Sequence, residues 1–565
     1  MEVAGFAIGL LGAVGIIGHI FDGCMKGYKV FSTASNLGRD SERLTCKIKI
    51  EETRLWLWGR EWGIVEGKFE AHLAAGIWGH DGLKDLAVEI LTQLLQTIMD
   101  CNKLQEKYGL REEAPGSVDK EAYQKGVDIK CIVSRNRKND LRLRARWVIA
   151  DKDKFEQFLD DLQYYNDRLE KLFPPSRIAT FQRTWTNEVL QRTDLPNLET
   201  LQLAANTRYP GLNAMAKLKQ LRINLDAAEP SRKILSSSEL KIPRWRIQLP
   251  EKEDLESRRV RAIYQKPSNE PKGDPVSEDI PVLIDWIPYD QEIDLDARLH
   301  LYQRVDNLSR MLHSGSSRHP DLSTLDCVGY VDDTVNHRYG IVHLGPDGSA
   351  TPSLDLPKFS TLTGSIENSQ KKTPDLDVRF RLAHSLAVAL WSFHSLDWLH
   401  KSFSSSSILF FHKENPKTLE QYEISRPYVV GFDSSRPDGL TEMTADPKFS
   451  TAQEIYRHPD SLGVWRQTYR KSFDIYSLGL VLLEVGLWKS IYGFHKAKYS
   501  PAVFKERIIH GLVPALGSKA GAAYRRLVLR CLTYDETIEE EKGLTPHQLM
   551  EWLVYSLESL KDSVA

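Results

Sequence analysis

Seven apolar residues between Phe155 and Leu172, spaced by three, one, three, three, four and three, commit the stretch DKDKFEQFLDDLQYYNDRLEKLFPP to one amphipathic helix. Asp and Glu fill the opposite face, and Pro174-Pro175 ends the run. The same period recurs in LKDLAVEILTQLLQTIMD over 83–100 and in ERLTCKIKIEETRLWLWGREWG over 42–63. Such faces are stable only against one another. With no strand-like run and tight turn to compete, residues 1–222 are expected to form an all-α helical bundle.

The chain has 565 residues, too many for one hydrophobic core. Between 223 and 279 the composition turns to Pro, Ser and charge with no sustained period, as in QKPSNEPKGDPVSEDIP, and reads as a linker. Short β-like runs follow, PVLIDWI at 281–287 and HRYGIVHL at 337–344, before a strongly helical second half. The order predicts a two-lobed α+β domain over 280–562. A net charge of −2 gives no global attraction for nucleic acid. Six scattered cysteines without a CxxC pair argue against zinc and disulfides and fit a reducing, cytoplasmic interior.

From Val3 to Phe21 no residue carries a formal charge. Glu2 precedes the run and Asp22 follows it, the wrong flanks for a secretory signal. Gly5, Gly9, Gly12 and Gly15 recur at steps of four, three and three, a stripe that permits close helix approach in a soluble bundle or in a membrane. The membrane-insertion candidates are Val3, Gly5, Phe6, Ile8, Gly9, Leu10, Leu11, Gly12, Ile16 and Ile17. A basic cluster at Arg135, Arg137, Lys138, Arg142, Arg144 and Arg146 is a lipid-patch candidate, weighed against a solvated loop and helix face.

The segment LAHSLAVALWSFHSLDWLHKSFSSSSILFF (382–411) resembles the helix and catalytic loop of protein kinases. Against the pattern HRDLxxxNIL, His400 is retained, Ser402 stands at the base position and Ser407 at the magnesium-ligand position. Neither serine does the work of the residue it replaces. In YVVGFDSSRP, Gly431 takes the metal-binding aspartate's place and Asp433 the glycine's, unless the register is shifted. Ile287 occupies the lysine place on PVLIDWI, and no GxGxxG loop precedes it. SFDIYSLGLVLLEVG (472–486) keeps scaffold residues Asp474, Ser477 and Gly479; in kinases that aspartate hydrogen-bonds the catalytic-loop backbone. The resemblance therefore implies a pseudokinase, not an enzyme, with no catalytic residue, no metal and no cofactor expected; residual ATP binding stays open.

GRDSERLTCKIKIEETRLWLWGREWGI (38–64) resembles the HeLo domain of fungal heterokaryon-incompatibility proteins, through Gly38-Arg39-Asp40, Glu42-Arg43, Arg54-Leu55 and Trp58-Gly59. ARWVIADKDKFEQFLDDLQYYNDRLEKLFP (145–174) is similar to its long late helix. The resemblance implies a programmed-cell-death effector whose N-terminal apolar helix enters membranes, gated by the kinase-like domain. It implies membrane lipids and self-association as partners, a cytoplasmic resting state and the plasma membrane on activation. An atypical active kinase and a non-lethal signalling scaffold are the competing readings. The upstream trigger is not legible.

Overall fold

The computed structural model describes residues 13–32, 38–69, 81–100, 103–108, 110–112, 147–149, 151–173, 175–227, 239–251, 254–255, 257–267, 278–313, 319–346, 358–368, 373–412, 424, 426–432, 436–437, 454–463, 466–540 and 543–564. The chain divides into two compact units, residues 1–216 and 217–565.

The first unit is built from helices α1 (Ala13–Ser32), α2 (Gly38–Glu61), α3 (Asp81–Met99), α4 (Lys152–Glu170), α5 (Pro175–Gln191), α6 (Leu195–Ala205) and the start of α7 (Pro210–Ala227). The expected amphipathic helix is α4. Asp151 caps it, its side chain accepting the Lys154 N–H at 3.1 Å, and Pro175 opens the next helix. Phe155, Phe158, Leu159, Leu162 and Leu169 are all buried, so the apolar stripe read from the sequence faces the core. Phe158 packs edge-on to Phe31 of α1 at 5.1 Å between centroids, and the Trp58 indole of α2 donates to the Leu169 carbonyl of α4 at 3.0 Å. One departure from an all-helical reading is a short antiparallel pair, β1 (Leu110–Glu112) with β2 (Trp147–Ile149).

The second unit is α+β. Its six-stranded sheet has the order β3-β7-β8-β6-β5-β4, from β3 (Lys241–Ile242), β4 (Ile247–Gln248), β5 (Arg259–Lys266), β6 (Glu278–Pro288), β7 (Cys327–Asp333) and β8 (Arg338–Leu344). Among the described residues, β3–β7 is the one parallel strand pair of this sheet. Helix α8 (Leu295–Leu312) lies in sequence between β6 and β7. Three strands thus arise inside 223–279, where composition suggested a linker; the correction has a physical reason. Strand β5 is half-exposed along most of its length, so it needs few apolar residues and leaves little periodic signal.

Both faces of β6 are covered. Val282, Ile284 and Trp286 pack with Ile242, Ala262, Val331 and Val342, while Leu283 packs with Leu325, Leu409, Phe411 and Val430 on the other side. The remainder comprises β9 (Lys358–Thr361), α9 (Leu362–Glu367), α10 (Leu376–Ser395), β10 (Trp398–Leu399), β11 (Ile408–His412), β12 (Tyr428–Val429), β13 (Arg436–Pro437), α11 (Lys471–Leu487), α12 (Pro501–Arg507), α13 (Gly521–Thr533) and α14 (Pro546–Val564). Every residue of α11 from Ser472 to Gly486 is buried, making it the central post on which α10 and α13 pack.

Candidate functional site

In the second unit, the sequence candidates converge on the 400–407 loop and the segment after β12. The loop is fixed from below by Asp474 on α11. Its Oδ2 accepts the His400 N–H at 2.8 Å; its Oδ1 accepts the Lys401 N–H at 2.9 Å and the Tyr469 hydroxyl at 2.8 Å. Burial opposes the charge, but the His394 interaction, with His400 and Tyr469, holds the Asp474 carboxyl below the usual carboxylate range. These bonds steady Lys401 at φ 65°, a left-handed conformation costly for a residue with a Cβ. Ser477 donates to the Tyr456 carbonyl at 2.8 Å, and a Cβ on Gly479 would stand 2.8 Å from Cys531 Cβ on α13. All three scaffold candidates therefore have structural employment.

Ser405 and Ser407 are equally occupied. Ser407 Oγ accepts the Ser404 N–H at 2.9 Å and donates to the Ser404 carbonyl at 2.7 Å, closing its own turn. Ser405 donates to Glu484, which also takes the Tyr456 hydroxyl at 2.9 Å and the Ile491 N–H at 2.7 Å. Burial pushes the Glu484 carboxyl up to about 7, against the pull of those donors. Ser402 Oγ has no hydrogen-bond partner among the described residues, so no neighbouring base activates it.

Above the loop stands a group that sequence reasoning missed. Arg259 of β5 and Asp285 of β6 are register partners, with Nε 3.2 Å from Oδ1. Nη1 of Arg259 donates to the Ser406 carbonyl at 2.7 Å, and the Gly431 N–H donates to Asp285 Oδ2 at 3.0 Å. Gly431 sits at φ 80°, and a Cβ there would stand 3.2 Å from Arg259 Nη2. His343 of β8 is buried nearby; desolvation lowers its pKa to about 4, with Asp285 raising and Arg259 lowering it. Ile287 packs opposite Tyr339 instead, so Asp285 is the β6 residue that meets Gly431. The signal for Asp285 was available as the lone charge inside PVLIDWI. Arg259 offered none, since it lies in the presumed linker. Asp433 lies outside the described residues.

In the first unit, the described part of the apolar N-terminal segment is seated as α1. Ile17, Phe21, Cys24, Tyr28 and Phe31 are buried, and Ile16 is exposed. The Cys24 thiol approaches the Leu91 carbonyl of α3 at 3.5 Å. Val3, Gly5, Phe6, Ile8, Gly9, Leu10, Leu11 and Gly12 lie outside the described residues, as does the basic cluster Arg135–Arg146. Among the described residues, no helix is long and apolar enough to cross a membrane, and no group of three metal-binding side chains gathers.

This helical unit has relatives. Residues 8–201 match the HeLo family, described as prion-inhibition and propagation. Over 202 residues the chain is 27% identical to heterokaryon incompatibility protein S of Podospora anserina, covering 34% of this chain and 68% of that protein. It is 26% identical over 172 residues to heterokaryon incompatibility protein s of the same fungus, covering 29% of this chain and 57% of the relative. The HeLo reading of the N-terminal part thus holds, and a heterokaryon-incompatibility-type function is supported at family level. Residues 300–556 match a domain of unknown function, DUF7580.

Proposed function

We propose that this chain is a cell-death or incompatibility effector in which the HeLo region attacks membranes and a kinase-shaped, catalytically inert unit controls it. The observation that carries the effector half is the HeLo match over residues 8–201. The uncharged run Val3–Phe21, continuing into the seated helix α1, is then the membrane-active element. At rest the chain stays in the cytoplasm with α1 packed; on activation it self-associates on lipid, with the plasma membrane as the target. Deleting residues 1–22 should abolish both liposome leakage and toxicity on overexpression. Undiminished toxicity would refute this half.

What supports the kinase-shaped half is the Asp474 carboxylate binding the His400 and Lys401 N–H groups, the structural role that position has in kinases. What supports inertness is the Arg259–Asp285 pair. A phosphoryl-transfer site needs carboxylate and amide oxygens for Mg²⁺ and a lysine for the phosphates. Here a guanidinium fronts Gly431, Asp285 is spent on it, and α8 carries no glutamate for a lysine to pair with. No cofactor is required by this reading. A phosphate-transfer assay with Mg²⁺ or Mn²⁺ should yield no labelled product; product that disappears on Asp433→Ala would make the chain an active kinase.

A further inference from the structure

We infer that the Phe21 ring, seated in the notch that Gly59 leaves on α2, is the catch that keeps α1 in the bundle. This rests on the proposed release of α1, whose regulation it names. Phe21 is the last residue of the uncharged run, and it is buried. A Cβ built on Gly59 would fall inside the van der Waals envelope of three Phe21 ring atoms, Cζ, Cε2 and Cε1. The ring and the α2 backbone are therefore in direct contact.

Glycine weakens a helix relative to alanine, so its presence within α2 calls for a reason. Gly59 is not among the glycines with positive φ, so backbone conformation does not supply one. The ring does. Two further glycines, Gly23 and Gly27 of α1, face α3. At Gly23 the opposing atoms are the Leu95 methyls, which can turn aside, whereas at Gly27 the β-branched Cγ2 of Ile98 cannot, so that contact adds to the seating of α1. A planar ring against a backbone has no such freedom, and close-packed interiors do not absorb an added methyl there. The seat is apolar and reversible, closed by shape.

Cys24, one turn further along α1 and fully buried, reports the state of the helix in the full-length chain. The test compares wild type, Gly59→Ala, Phe21→Ala and the double variant. Maleimide labelling of Cys24 is followed by mass spectrometry, and dye leakage is measured from phosphatidylserine–phosphatidylcholine vesicles. Each single variant should label Cys24 about tenfold faster than wild type, as overpacking or loss of the ring shifts the opening equilibrium. In the Phe21→Ala background, the Gly59→Ala effect should shrink to about twofold or less, since no ring remains to be displaced. Unchanged Cys24 labelling in Gly59→Ala overturns the inference, and so does an undiminished effect in the double variant. Amide exchange across α4, in the same helical unit, is the control: if α4 loses protection to the same extent as Cys24 labelling accelerates, the unit unfolds as a whole and a local catch is refuted. Faster Cys24 labelling without leakage in any variant keeps the catch and rejects the membrane reading.

Discussion

Arg259 and Asp285 face each other across adjacent antiparallel strands, and each also holds one of the two loop segments that meet beneath the sheet. Their closest approach, 3.2 Å from Nε to Oδ1, is an attraction of charges; Nε makes no directed hydrogen bond. The directed bonds go to the Ser406 carbonyl and from the Gly431 N–H. Removing the cation alone should be expensive, because Asp285 would remain buried and unpaired. Arg259→Ala is expected to cost the second unit about 3–5 kcal/mol, whereas Arg259→Met with Asp285→Leu should cost far less. Chemical denaturation of the three proteins checks this. Equal losses in the single and double variants would mean that packing, not charge, explains the site.

The difference between what could be read and what could not follows from where the information lies. Helix α4 was legible because seven apolar residues repeat within one turn-spacing, and α11 because SFDIYSLGLVLLEVG is mostly apolar and keeps the Asp474, Ser477 and Gly479 pattern. Strands β6 and β8 were legible as short apolar runs. The strands between 241 and 266 were hidden because their apolar partners lie on other strands, Ala262 with Val282 and Ile247 with Tyr264. The candidate site was half visible. Asp474, Ser402, Ser407 and Gly431 were found through three local patterns, but Arg259 becomes a site residue only when pairing brings it to Asp285, 26 positions away.

Asp474 should tolerate no neutral replacement. An Asp474→Asn amide has one oxygen for three donors, and its NH₂ would confront a backbone N–H at 2.8–2.9 Å. Lys401 would then hold its left-handed φ without support. A loss of about 3 kcal/mol is expected from the charge-assisted bonds. It should appear as a lowered denaturation midpoint, with faster amide exchange in the 400–407 loop.

Glu484 should make stability depend on pH near neutrality. Its carboxyl is raised from 4.5 to about 7, so between those values the folded state keeps a proton that the unfolded chain has released. Stability contributed by this group falls as pH rises through that window, by about 3 kcal/mol at most, and levels off above it. Buried His343 and His458, held neutral by desolvation, impose the opposite slope below pH 6.5. The wild-type curve therefore mixes the two. Glu484→Gln isolates the carboxylate: relative to wild type it should gain stability from pH 5 to about 7 and level off above that in denaturation midpoints. A difference independent of pH would remove Glu484 as the titrating group.

Arg54 should prove the most sensitive residue of the HeLo region. Its guanidinium donates to Glu170 at 2.8 Å, Glu51 at 3.0 Å, Asp167 at 2.6 Å and the Tyr209 hydroxyl at 2.7 Å, and it lies near the Trp185 and Tyr209 rings. One planar fork thus ties α2 to α4 and to Tyr209 ahead of α7. Lysine offers three donors on a point charge and reproduces neither the fork nor the stacking. Arg54→Lys should therefore be clearly destabilising, and Arg54→Ala should cost about 3–5 kcal/mol by leaving Glu51 and Glu170 buried without their cation. Burial already raises the Glu170 carboxyl above its ordinary value, with Arg54 pulling it down. Without the arginine that pull is gone, so the carboxyl rises further and protonates more readily. The deficit of Arg54→Ala should accordingly narrow as pH is lowered from 7 toward 5, as read by hydrogen exchange across α2 and α4. A deficit that stays constant would mean that lost packing, and not stranded carboxylates, sets the cost.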